Sequence, residues 1–262
     1  MTEAIVVDHV SKEFTMHYSR TLKQMAVSVA KRLPLSESFN AVDDVSFTVE
    51  QGESIGLMGL NGSGKSTLLR VISGVMHPDS GSVLTRGRIA GLIAKGAGFH
   101  PQLTGRENVF MNAAILGMSE AETKSRFDAI VDFADVGKFL DIPVSHYSSG
   151  MFARLGFSVA IHVDADIFLA DEVLAVGDRP FKKKCMEKMQ EIRHQGTTIF
   201  YVSHAAASVR AMCDRVLVLE SGKLTYDSKV VPGGSVDGAI HYLQYDDTSE
   251  EELADEALGS EV

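Results

Sequence analysis

Eight consecutive residues, GLNGSGKS from Gly59 to Ser66, have the types and spacing needed to grip a chain of phosphates. They fit the pattern G-x-x-x-x-G-K-[ST]. Gly59, Gly62 and Gly64 let the backbone wrap tightly enough for its N–H groups to point inward at phosphate oxygens. Leu60, Asn61, Ser63 and Thr67 fill out the same run. A helix beginning here would present its positive end to the same anion. Lys65 carries a cation to the β- and γ-phosphates, and Ser66 offers a hydroxyl to Mg²⁺. The ligand this chemistry expects is a nucleoside triphosphate with its magnesium ion.

The surrounding residues predict the elements that would hold such a loop. Residues 3–10 and 44–58 are rich in Val, Ile and Phe and read as strands. The second ends at the glycine loop, and KSTLLRVISG (65–74) follows with helical spacing, so strand, loop and helix come in the order of a nucleotide-binding α/β unit. Gly105 to Asp135 reads as one helix with Met111, Ala114, Ile115 and Met118 on a shared face, and Ser149 to His162 as another. DIFLAD (166–171) and TTIFYVSH (197–204) are short apolar runs of the kind a strand buried on both faces needs. Residues 179–195 read as the crossover helix between them. DRVLVLESGKLTYD predicts a hairpin turning at Ser221-Gly222, and the acidic stretch 246–262 a solvated, disordered tail.

Composition narrows the classes of function. A formal net charge of −10 leaves no chain-wide basic footprint, which argues against a nucleic-acid-binding protein. Cys185 and Cys213 lie in different segments with no partner motif and read as ordinary reduced thiols of a cytosolic protein. The start, MTEAIVVDHV, lacks the basic and then apolar pattern of a signal peptide. The longest apolar candidate, Ala165 to Gly177, is interrupted by Asp166, Asp171 and Glu172, too short and too charged for a span of about 18 residues. A membrane role is therefore expected to come through a partner.

Phosphate-loop proteins include kinases, GTPases and transport ATPases, and four later features separate them. YSSGM (147–151) resembles the LSGGQ signature of ABC transporter ATPases, with Ser148 matching its serine and Gly150 its second glycine, while Ser149 and Met151 depart from the commonest form. DIFLADE (166–172) resembles that family's Walker B strand. The resemblance implies that Asp171 holds Mg²⁺, that Glu172 is the base orienting the attacking water, that Asp178 is the D-loop aspartate and that His204 is the switch histidine at the γ-phosphate. It also implies an α/β fold: an ABC-type nucleotide-binding domain with a mixed β core and a helical signature subdomain over about 97–160, all within 1–245. Phe14, placed after the first strand, is the candidate for stacking on the adenine of ATP, with Tyr18 behind it. The family's Q-loop glutamine is missing. RIAGLIAKGAGFH (88–100) has none, the expected offset falls near Lys95, and Gln102 is nearby at the wrong offset.

GAGFHPQLTGRENVF, HYSSGMFARLGFSVA and DEVLAVGD together are similar to the branch that exports O-antigen, capsule, teichoic acid or galactan chains, and to its short forms without a carbohydrate-binding domain. The implied assembly is a homodimer with ATP between its subunits, each site using the phosphate loop, Asp171, Glu172 and His204 of one copy and Ser148 and Gly150 of the other. It would drive a separate polytopic permease at the cytoplasmic face of the membrane, moving a lipid-linked glycan. The stretch 17–38 is extra relative to most such ATPases. Leu22, Met25, Val29 and Leu33 share a helical face there, and Arg20, Lys23, Lys31 and Arg32 make it basic, which suits either packing on the domain or contact with membrane subunits or cargo. Two other classes are weighed against this one. A soluble ABC ATPase of DNA repair or translation would bring a long coiled coil or a second ATPase unit, and an ATP-binding regulator would lack Glu172 or His204.

Overall fold

A computed structural model describes residues 2–17, 36–92, 98–171 and 178–243. The expected amphipathic helix within 17–38, Tyr18, Lys95, Glu172 and the acidic tail fall outside those residues, apart from the edges of the 17–38 stretch.

Two sheets and the helices around them build the fold. The smaller has the order β2-β1-β4, with β1 Glu3–His17 antiparallel to β2 Ser36–Glu50 and to β4 Ser80–Thr85. The larger has the order β5-β6-β7-β3-β8-β9. Its β5 Ile89–Leu92, β6 Ile167–Ala170, β7 Thr198–Val202, β3 Ser54–Met58 and β8 Arg215–Glu220 run parallel, and β9 Lys223–Asp227 closes it as the expected antiparallel hairpin. Every residue of β3, β6 and β7 is buried. Alternation divides them between two cores, as a period of two requires. Ile55, Leu57, Ile167, Leu169, Phe200 and Val202 face the smaller sheet, and Met58, Phe168, Ala170, Ile199 and Tyr201 face the opposite side.

Helix α1, Lys65–Ile72, lies in the first of these cores. Leu68, Leu69 and Ile72 are buried between the sheets, each contributing about 2 kcal/mol by removal from water. The helix that follows the phosphate loop is thus held from both sides. The second core joins the large sheet to α2 Gly105–Ile115, α3 Glu120–Ala134, α4 Ser149–Ile161 and α5 Arg179–His194. Helices α6 Ala206–Met212 and α7 Val236–Tyr242 pack near β8.

Three sequence expectations are corrected. The run 44–58 is two strands in different sheets, because Gly52 takes a positive φ of 77° and turns the chain between Glu50 and Ser54. The first strand continues beyond residue 10 to His17, since its pairing with β2 persists to Met16↔Glu37 and His17↔Ser36; both ends of the 17–38 stretch are therefore sheet. The single helix expected over 105–135 is two. Gly117 at φ 84° ends α2, with Met118 N–H donating to Ala113 O (2.9 Å) and Gly117 N–H to Ala114 O (3.0 Å), a Schellman closure. Ser119 then caps α3 reciprocally with Glu122. The shared face was misassigned as well: Ala114 and Ile115 are exposed, and the buried positions of α2 include Asn108, Val109, Asn112 and Ala113.

Candidate functional site

The β3–α1 loop is shaped by contacts that only glycine permits. Gly59 sits at φ 146° and Gly64 at φ 106°. A Cβ on Gly59 would lie 2.2 Å from the Leu219 carbonyl oxygen, and one on Gly64 would lie 2.0 Å from that of Ala41. The loop is therefore pinned against β8 and the middle of β2. It is closed by Ser63 N–H donating to Leu60 O (3.1 Å) and Gly222 N–H donating to Ser63 O (2.9 Å). Gly64 caps α1 with no side-chain hydrogen bond, and the first turn holds no acidic residue. The positive end of the helix is thus left for an anion.

Within this loop Lys65 folds back, its Nζ donating to Gly59 O at 2.6 Å and Leu60 O at 3.0 Å. Burial holds its ammonium below the ordinary lysine value, and the charge of Asp171 pulls the other way. Asp171 leaves the C-terminal end of β6, on the same edge of the parallel sheet as the end of β3, where ligands of open α/β sheets gather. Burial raises its carboxyl above the ordinary aspartate value, opposed by Arg70 and then Lys65.

A cleft of about 250 Å³ runs over these groups, lined by Asn61, Gly62, Ser63, Gly64, Lys65, Ser66, Thr67, Asp171, Ala41, Phe14 and Phe39. It brings together most of the loop residues expected to bind nucleotide, the expected magnesium carboxylate and the expected base-stacking aromatic. One buried polar atom in it tests whether a triphosphate fits. Ser63 Oγ has no hydrogen-bond partner among the described residues, an arrangement that costs about 1–3 kcal/mol unless a ligand oxygen meets it. Ser66 Oγ and the Asp171 carboxylate are hard oxygen donors, the type magnesium takes alongside phosphate oxygens and water.

Other expected residues stand outside the cleft. Leu60 is exposed on the loop, and Gly59 serves through its backbone. His204 follows β7 and is exposed. Ser148 caps α4, its Oγ accepting from Met151 N–H at 3.2 Å, and Gly150 lies in the first turn. Asp178 caps α5 by accepting from Phe181 N–H at 3.2 Å. Gln102 is exposed and is not a lining residue.

Two contacts at or beside these residues escaped the sequence reading. Phe39 enters the cleft because it pairs directly with Phe14 across the β1–β2 ladder, a register that no local pattern announces. Arg154 joins α4 to Asp178. Its guanidinium lies 2.7 Å from Asp178, 3.5 Å from Asp135 and 5.0 Å from the Phe181 ring centroid. That clamp ties the end of α3 and the middle of α4 to the start of α5.

Both cysteines are buried and unpaired, and burial pushes each thiol up to about 12, which keeps them unreactive. Among the described residues no helix is long and apolar enough to cross a membrane.

Comparisons with known proteins agree with this geometry. The sequence profile described as "ABC transporter" matches residues 42–175. The chain is 51% identical over 186 residues to the ABC transporter protein AbcA of Aeromonas salmonicida, covering 71% of this chain and 60% of that one. It is 42% identical over 228 residues to the O-antigen export system ATP-binding protein RfbB of Klebsiella pneumoniae, covering 86% and 93%. It is 41% identical over 224 residues to the teichoic acids export ATP-binding protein TagH of Bacillus anthracis, covering 86% of this chain and 40% of that protein's length. Among solved structures, the dimeric post-hydrolysis cassette MJ0796 bound to ADP and phosphate superposes with a TM-score of 0.69 at 22% identity, covering 87% of this chain and 99% of that one. An ATP-binding subunit of an ABC transporter does so at 0.71 and 23%, covering 97% and 99%.

Proposed function

This chain belongs to the ABC transporter family, and from that premise we propose that it binds and hydrolyses ATP to power export of a lipid-linked surface polysaccharide through a separate membrane permease. The observation that carries the ATPase reading is the single cleft holding the phosphate loop, Asp171 and Phe14. The relatives named for O-antigen and teichoic acid export support the polysaccharide class.

In this reading Lys65 exchanges the Gly59 and Leu60 carbonyls for β- and γ-phosphate oxygens, an easy transfer because its burial already disfavours a bare charge. The loop N–H groups and the start of α1 neutralise the same phosphates, and Ser63 Oγ gains its missing partner. Ser66 and Asp171 would hold Mg²⁺, which supplies charge neutralisation and alignment for an in-line displacement. Glu172, next in sequence to Asp171, takes a proton from the attacking water. His204 approaches the γ-phosphate from the end of β7. Ser148 and Gly150 close the site from a second copy of this chain, and Asp178, fixed by Arg154, stands beside the same interface. Closure of the pair moves the permease, and the pair is held at the cytoplasmic face of the membrane by that partner. The basic stretch 17–38 is assigned to the permease or cargo side.

Glu172→Gln tests the assignment. The amide keeps the size but cannot accept the proton, so turnover should fall by about 10²-fold or more. ATP binding should persist, and ATP should drive dimers that light scattering detects. Near-normal turnover would remove Glu172 from this role. Cells lacking the chain should lose their surface polysaccharide and regain it with the wild type but not with Glu172→Gln; intact polysaccharide in the deletion strain would overturn the export reading.

A further inference from the structure

Charge is spread unevenly along this chain. Residues 246–262 hold eight acidic residues and no Lys, Arg or His, so this stretch accounts for −8 of the net −10 and residues 1–245 carry only −2. A block of like charge of this kind often serves as an interaction segment. The start of α5 has the opposite excess. It reads Arg179-Pro180-Phe181-Lys182-Lys183-Lys184, with no acidic residue in its first turn. All three lysines are exposed. Lys184 donates to the Asp132 and Phe133 carbonyls at 3.2 and 3.1 Å, closing the end of α3 without meeting a carboxylate. Lys182 and Lys183 form no ion pair among the described residues, and the next lysine along, Lys188, is the one that finds an acid, Glu191 at 2.8 Å. By contrast, Lys12 is met by Asp79, Arg106 by Asp141, Arg193 by Asp214 and Arg210 by Asp237, each within 2.8 Å. The cations of α5 also crowd the positive end of their helix, which repels them. This face is matched by nothing on the described surface and suits an anionic partner.

The acidic stretch is within reach of it. The described residues stop at Leu243, just after α7. Arg210–Asp237 joins α7 to α6, and Arg193–Asp214 joins the end of α6 to the end of α5. Lys183 lies ten residues back along α5 from Arg193, about 15 Å. Glu250, Glu251 and Glu252 come seven to nine residues after Leu243, a reach of about 25–30 Å, and Asp255 and Glu256 reach about 40 Å. We propose that residues 246–262 dock across the start of α5 of their own chain, with their carboxylates paired to Lys182 and Lys183. Each such exposed pair is weak, but tethering supplies an effective concentration on the order of millimolar, so a few pairs suffice. The docked stretch covers the helix start beside its cap, Asp178, and is released as salt screens the pairs.

A glutamate-specific protease acting on the full chain reads the docking, because Glu250, Glu251, Glu252 and Glu256 are its sites in this stretch. At low salt the wild type should be cut there about fivefold more slowly than the double variant Lys182→Gln with Lys183→Gln, and at about 0.5 M salt the two rates should converge. A zero-length carbodiimide cross-link gives a second measurement that needs no variant. In the wild type at low salt it should join the stretch to Lys182 or Lys183. In a mixture of heavy- and light-isotope chains, the joined peptides should carry a single isotope. Equal cleavage rates at low salt, with cross-links scattered over Lys138, Lys223 and Lys229, would mean a solvated stretch and overturn the proposal. Cross-links joining heavy to light chains would overturn it in favour of a second copy as the partner. If the double variant loses binding to vesicles of anionic lipid while its cleavage rate matches the wild type, the basic face meets a membrane and the proposal is overturned.

Discussion

The phosphate loop and the start of α4 are both helix starts that carry glycine, and they are built in opposite ways. In the loop the chain itself compels glycine, because a Cβ at Gly64 or Gly59 would fall 2.0 Å or 2.2 Å from a backbone carbonyl oxygen. At Gly150 a Cβ would meet nothing nearer than Ser148 Oγ at 3.8 Å. Lys65 is buried with its donors engaged inside the loop, whereas Ser148 is exposed at a helix cap. One region is completed by its own chain. In the other, no contact among the described residues explains the residue type, which fits a demand set by the partner copy in the proposed pair.

The largest effect comes from breaking each region in a separate chain. Lys65→Ala and Ser148→Arg should each cost about 10²-fold or more in turnover when every subunit carries the change, the scale of losing a charge-stabilising group. In an equimolar mixture, half the pairs are mixed. Each mixed pair gathers both lesions into one site and leaves the other intact, so turnover should return to about a quarter of wild type if a single intact site can fire. Failure to recover at any mixing ratio would count against an outward-facing signature.

A smaller effect probes the self-contained region. Asp171→Asn should abolish magnesium-dependent turnover while leaving magnesium-free ATP binding in place. It should also raise the Tm at neutral pH. Burial holds the Asp171 carboxyl above its ordinary value, so the fold favours the protonated form. That contribution is complete below about pH 4 and is lost as pH rises through the raised folded value. The gap between variant and wild type should therefore be widest near neutrality and close as the pH falls toward 4. Calorimetry across pH measures it, and a lower Tm for the variant at pH 7 would mean that Arg70 and Lys65 outweigh burial.

The smallest effect in stability sharpens the contrast most. Gly150→Ala meets no steric obstacle among the described residues and replaces a poor helix former, so the isolated chain should gain up to about 0.5 kcal/mol, or 1–2 °C in Tm. Turnover should nevertheless fall, because in the proposed pair the added methyl group would stand where the partner's nucleotide approaches. A variant that is more stable and fully active would refute the outward role of Gly150.

Much of the large sheet and its hairpin was legible because buried parallel strands are short unbroken apolar runs; IFLA and TIFYV declare themselves. The division of 105–135 was legible and missed. Gly117 and the S-x-x-E of Ser119–Glu122 are stop and start signals, but a helix-like apolar spacing across them masked the break. The buried face of α2 was harder to read, since its centre is Asn108, a polar residue. Its Nδ2 donates to the carbonyls of His100, Leu103 and Thr104, so a fully buried amide organises the preceding turn where pattern reading looks for an apolar side chain.

The sequence alone determined the phosphate loop, because everything that loop needs lies within eight consecutive residues: glycines for the turn, a lysine for charge, a serine at the start of a helix. It equally placed Asp171 at the end of a buried strand. Only the tertiary structure decided that Phe39 shares the cleft with Phe14, since their meeting depends on the register of two strands separated by 18 residues of sequence, after several irregularities in the ladder. It alone placed Arg154 against Asp178, a contact between helices set by how α4 and α5 pack. Local chemistry is written in spacing along the chain, whereas contact between distant residues is settled by strand pairing and helix packing, which depend on all the surfaces buried at once.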